Sequence, residues 1–108
     1  MTRKTDIAMS PGEIERFVHA NDCAFVGHLD ERGRITAHAF RYAAAEGKLL
    51  LRGSGAILPG SACAVIDSYP SYDAIIGVML RGGITECADG ARLEIRHAGG
   101  FDFSKTRK

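Results

Sequence analysis

The sequence predicts a mainly β protein, a small six-stranded antiparallel barrel with one N-terminal helix, and three observations lead there. A helix-start signature occurs once, at residues 10–13. Six short apolar or alternating runs follow it, separated by Gly-, Pro- and Asp-bearing turns. None of the connections has the length and helical periodicity that a βαβ crossover needs.

The elements read as follows. Residues 1–9 carry no periodicity and are expected to form a disordered tail, leaving 10–108 as one domain. Ser10 caps a helix, Pro11 suits its first position and Glu13 completes a capping box. Ile14, Phe17 and Val18 fall on one face at helical spacing, and the helix is expected to stop between His19 and Asp22. Strands are expected at 24–29, 35–42, 48–52, 62–67, 75–85 and 91–97. Gly33 supplies a positive φ in the first turn. Gly82-Gly83 inside the fifth run suggests a bulge or bend. Asp89-Gly90 suits a hairpin turn, and Gly99-Gly100 is read as releasing a tail.

Charge and cysteine usage narrow the function classes. The 108 residues carry 14 Lys+Arg against 13 Asp+Glu, a net charge of +1, which offers no field for a nucleic-acid backbone. Three cysteines, Cys23, Cys63 and Cys87, form no CxxC pair and no even framework, so a reducing cytoplasm is expected, with each Cys serving as a small buried hydrophobe. No run approaches the roughly 18 apolar residues of a membrane span. His19 and Cys23 are four apart, but the helix is expected to end between them, so no metal site is assigned. There is no phosphate-loop motif, no HExxH and no GxSxG.

Two stretches carry candidate chemistry. Arg52-Gly53-Ser54-Gly55 places a guanidinium, a hydroxyl and open backbone N–H groups in one loop, either a phosphate cradle or a glycine-rich turn beside a surface Arg. His38, Phe40 and Tyr42 alternate onto one strand face, either lining a flat aromatic ligand or forming core with an edge histidine. Tyr69 and Tyr72 suit an interface or loop packing. Arg81, which follows the apolar run 77–80, points to solvent or crosses an interface.

In its segment order the chain resembles the pyridoxamine 5′-phosphate oxidase-like family of flavin-binding split barrels, over roughly residues 10–107. The resemblance rests on SPGEIERFVHAND, on VGHLDERGRITAHAFRYAAAEGKLLLRGS, on CAVIDSYPSYDAIIGVMLRGGITE and on GFDFSKTR. It implies a split barrel that forms a homodimer and holds flavin mononucleotide (FMN) at the subunit interface. The implied contacts are His38, Ala39, Phe40, Arg41, Arg52, Gly53, Ser54 and Gly55, with Tyr72 and Arg81 from the partner. An FMN-dependent oxidoreductase is implied, of unspecified substrate, with His38 the first choice of proton donor. Relatives continue the Gly-Ser loop into a charged helix, whereas residues 56–59 here are Ala-Ile-Leu-Pro, leaving Arg52, Arg41 or Lys48 to supply positive charge. The same fold with a deazaflavin or haem, or a cofactor-free dimeric binding module, are the alternatives.

Overall fold

The computed structural model of the chain describes residues 7–52, 59–68, 75–87 and 90–106. A helix α1 (Pro11–Ala20) precedes six strands: β1 (Cys23–Leu29), β2 (Ile35–Ala45), β3 (Lys48–Arg52), β4 (Gly60–Ser68), β5 (Ile76–Cys87) and β6 (Gly90–Asp102), with a short 3-10 turn at Phe103–Thr106. The strands close in the order β1-β2-β3-β6-β5-β4, all neighbours antiparallel. The hairpin partners were legible locally. The two closures that turn the sheet into a barrel, β1 on β4 and β3 on β6, join strands far apart in sequence.

Alternation sets the core. Ala24, Val26 and His28 of β1 point inward, as do Phe40 and Tyr42 of β2, Leu49 and Leu51 of β3, Ala62, Ala64 and Ile66 of β4, Val78, Leu80 and Ile84 of β5, and Ala91 and Leu93 of β6. The helix covers one open end with Ile14 and Val18, and Phe17 packs at its side. The Tyr42 hydroxyl donates to the Val18 carbonyl at 2.8 Å, tying β2 to the last turn of α1. Burial pushes this phenol up to about 12.

The helix start matches its sequence signature: Ser10 Oγ accepts from the Glu13 N–H at 3.2 Å, and Glu13 Oε1 accepts from the Ser10 N–H at 2.9 Å. The fold adds Lys105, whose Nζ donates to Glu13 Oε1 at 2.7 Å and to the Ala8 carbonyl at 2.9 Å. The Lys105 hydrogen bond, followed by that from the Ser10 backbone, holds the Glu13 carboxyl at about 2, against 4.5 for a free glutamate. A carboxyl depressed in the folded state stabilises fully above its unfolded value and loses that contribution as pH falls. The melting-temperature advantage of the native chain over Glu13→Gln is therefore expected to be complete above about pH 4.5 and to vanish as pH approaches about 2. Thermal melts of both proteins across that window check it, and a pH-independent difference would sink it.

Several expectations are adjusted. Ala8 pairs with Phe101 and the Met9 N–H donates to the Gly100 carbonyl at 3.0 Å, so the last residues of the expected tail lie on the barrel. β6 does not end at His97 but runs on through Gly99 and Gly100, which pair with Met79 and Val78. Cys23 is exposed and Cys63 only half-buried, because both fall on outward positions of their strands; neither is the buried hydrophobe expected. No helix among the described residues is long and apolar enough to cross a membrane.

Candidate functional site

The outer surface of β2 and β3 carries the largest group of expected site residues. Ile35, Ala37, Ala39 and Arg41 alternate outward along β2. Arg41 is the direct cross-strand partner of Arg52, so two guanidiniums stand one strand apart on the same face. Arg41 Nη1 donates to Asp22 Oδ2 at 2.7 Å, in an ion pair that is mostly exposed on both sides. Arg52 is exposed and makes no ion pair among the described residues. Beside the arginines lie Ala37 and Ala39, and Gly27 of β1 continues the row from Ala37. These short side chains leave a low shelf bordered by Arg41 and by the exposed Phe25, the cross-strand partner of Ala39.

Other expected residues go elsewhere. Phe40 and Tyr42 point into the barrel at 4% and 5% exposure, so their side chains are core. His38 shares that inward face but lies beyond the end of the core, exposed, edge-on to Phe40 with ring centroids 6.5 Å apart. Gly53, Ser54, Gly55 and Tyr72 lie outside the described residues. Arg81 points outward from β5, opposite Cys63 on one side and His97 on the other. From Arg52, two strand spacings and about seven residues of β6 separate it, on the order of 20 Å along the sheet. One protomer does not bring Arg81 to Arg41 and Arg52.

Sequence reasoning did not separate His28 from His38 and His97. It is the only buried polar or charged side chain among the described residues, at 6% exposure. Its Nδ1 lies 3.2 Å from the Leu29 carbonyl, and its Nε2 lies 3.3 Å from the Thr36 hydroxyl. The alternation of β1 put His28 in phase with Ala24 and Val26, and that was the available signal. With His38 at 6.1 Å, Arg32 and Arg34, it lines a polar recess of about 410 Å³ at the barrel mouth. Asp30 closes the turn there, accepting from the Arg32 and Arg34 N–H groups at 2.8 and 2.9 Å, and the Arg34 backbone bond is the main cause that lowers its carboxyl. No group of three His, Cys, Asp or Glu side chains suited to a metal occurs among the described residues.

A third surface is apolar. Phe25, Val65 and Met79 form one outward row across β1, β4 and β5, with Phe25 and Met79 58% and 51% exposed. Phe101 and Phe103 stack edge-on at 5.2 Å beside it. Val65, Met79, Phe101 and Phe103, with Ile7 and Ile75, line a groove of about 820 Å³.

No family model matches the chain. No curated protein matches it either. Solved structures do. A conserved hypothetical protein of Mycobacterium tuberculosis superposes with a TM-score of 0.80 at 18% identity, over 98% of this chain and 92% of that one. An FAD-binding protein of Mycobacterium smegmatis follows at 0.75 and 11% identity, over 88% and 95%. A Corynebacterium glutamicum protein, provisionally assigned as a pyridoxamine 5′-phosphate oxidase, gives 0.72 at 12% identity, over 89% and 91%. The chain thus has the fold of the pyridoxamine 5′-phosphate oxidase-like split barrels, as its segment order led one to expect.

Proposed function

We propose that this protein binds FMN on the outer face of β2 and β3 and acts, as a homodimer, in flavin-dependent oxidation or reduction. The observation that carries the reading is the directly paired Arg41 and Arg52 beside the Ala37–Ala39 shelf, on a fold shared with proteins described as FAD-binding. Arg52, which makes no ion pair among the described residues, is the group for the phosphate and is followed in sequence by Gly53-Ser54-Gly55. Arg41, held by Asp22, borders the shelf and has its charge half-satisfied already. The bound flavin would supply the redox chemistry, while the chain supplies binding, orientation and exclusion of water.

The second copy belongs to the reading because a flavin on an open, low-relief face stays wet on one side. The Phe25–Val65–Met79 row and the Phe101–Phe103 pair offer the apolar surface for a self-complementary contact. The exposed free Cys23 fits the reducing, cytoplasmic setting expected from the sequence.

The test is a titration of purified protein with FMN, FAD and riboflavin, followed by flavin fluorescence. FMN is expected to bind tightest. Arg52→Ala should weaken FMN by roughly 10- to 100-fold, the size of a charge-assisted hydrogen bond, and leave riboflavin nearly unchanged. Equal weakening of both would separate Arg52 from the phosphate. A protein that takes up none of the three flavins would overturn the proposal.

A further inference from the structure

A second groove, of about 560 Å³, crosses the outer surface between the facing ends of β1 and β2 and the middle of β5 and β6. Its two walls differ in kind. One is apolar: Leu29 and Ile35 pair across β1 and β2 and are 53% and 81% exposed. The other is basic. Gly27, Cys63, Arg81 and His97 form one continuous cross-strand row, so the Arg81 and His97 side chains stand directly opposite each other beyond the half-buried Cys63 thiol.

A bulge adds the third basic group. Arg81 pairs with His97 and Gly82 with Ile95, so Arg96 is left without a cross-strand partner. Its guanidinium lies over Gly83, with Nη2 3.1 Å from where a Cβ would stand. Gly83 in turn pairs with Ser61, whose side chain borders the groove. The Gly82-Gly83 pair therefore does two things: it lets the strands approach at the bulge, and it clears the surface that Arg96 lies on.

The charge pattern is one-sided. Arg81, Arg96 and His97 line the groove with no carboxylate among the described lining residues. None of the three makes an ion pair or a side-chain hydrogen bond with the described residues, whereas Arg34, Arg41, Arg92 and Lys105 each have a carboxylate. In a chain of net charge +1 this clustering is local and not a general basicity. Arg81 and Arg96 are like charges on adjacent strands, and an anion held between them relieves their repulsion.

We infer that this groove binds a small molecule that joins an oxyanion, phosphate or carboxylate, to an apolar body. The oxyanion sits among Arg81, Arg96, His97 and the Ser61 hydroxyl. The apolar body lies over Gly27 against Leu29 and Ile35. The inference goes beyond the flavin reading: within one protomer Arg81 and Arg52 lie on the order of 20 Å apart along the sheet.

Calorimetry on the full chain, in phosphate-free buffer at low salt, tests it with phenyl phosphate, benzoate and the neutral benzyl alcohol as probes. At least one anionic probe is expected to bind saturably and about tenfold or more tighter than benzyl alcohol. Which of the two binds better assigns the oxyanion as phosphate or carboxylate. Arg96→Ala and Arg81→Gln should each weaken that probe by about tenfold or more while thermal melting stays unchanged. If Arg96→Ala fails to fold, Arg81→Gln alone decides, because Arg81 is an exposed outward side chain. Equal binding of all three probes, or unchanged binding in a folded Arg81→Gln variant, would overturn the inference. So would a loss of FMN but not riboflavin affinity in Arg81→Gln, which would give the groove to the flavin phosphate. Failure of flavin binding with intact binding of the anionic probe would leave this site standing and remove only the flavin reading.

Discussion

Gly82→Ala is expected to leave no folded barrel at ordinary temperatures. A Cβ at this position would stand 1.7 Å from the Glu94 carbonyl oxygen, 2.8 Å from its carbon and 3.2 Å from the Ile95 Cα. All three are backbone atoms of the hydrogen-bonded neighbour strand, so no side-chain rotation relieves the contact. β5 and β6 would have to separate at the bulge. The cost is expected to exceed about 3 kcal/mol, a large part of the roughly 5–15 kcal/mol by which a domain is stable. Gly77→Ala is the informative contrast. Its Cβ would lie 2.7 Å from Cζ of Phe101, but that ring is 38% exposed and can swing away. Urea unfolding followed by circular dichroism should find Gly77→Ala folded and Gly82→Ala largely unfolded without denaturant. A Gly82→Ala protein melting within a few degrees of the native chain would contradict the close approach.

Met79→Asp is expected to convert the proposed dimer to monomer. Met79 stands outward in the apolar row between Val65 and Gly99, 51% exposed. In the isolated chain an aspartate there meets water, so the melting temperature of the monomer should scarcely change. In a two-fold contact the same substitution is buried twice, and each unpaired carboxylate costs several kcal/mol to desolvate. Sedimentation velocity at micromolar concentration is expected to show the native chain as a dimer and the variant as a monomer. A native chain that sediments as a monomer, or a variant that remains a dimer, would remove this face as the contact.

Much of the fold was legible because its signals are local. The capping box at Ser10 and Glu13 needs only four residues to recognise, and it stands in the structure as read. Period-two alternation gave the strands, and Gly33 takes the positive φ its turn required, at 75°. Misreadings came where a residue type has two physical uses. Gly99-Gly100 reads as a release of the chain by sequence, yet Gly100 is a close-approach glycine: a Cβ there would lie 2.9 Å from Met9 Sδ and 3.1 Å from the Gly77 carbonyl. Phe40 and Tyr42 suit a ligand face or a core by sequence, and closure makes the face they share with His38 the inside of the barrel.

The sequence by itself determined the element types, the hairpins and the nearness of Arg41 to Arg52, because each depends on residues within one turn or one hairpin. Tertiary structure alone decided what lies across the barrel. The pairing of β1 with β4 and β3 with β6 chose which alternating face became core, buried His28 and opened the apolar row through Met79. A single extra residue in β6 set Arg96 over Gly83, beside Arg81 and His97. A slip of one residue turns a side chain from one face to the other, and it is fixed by how two strands dock, not by the composition of either.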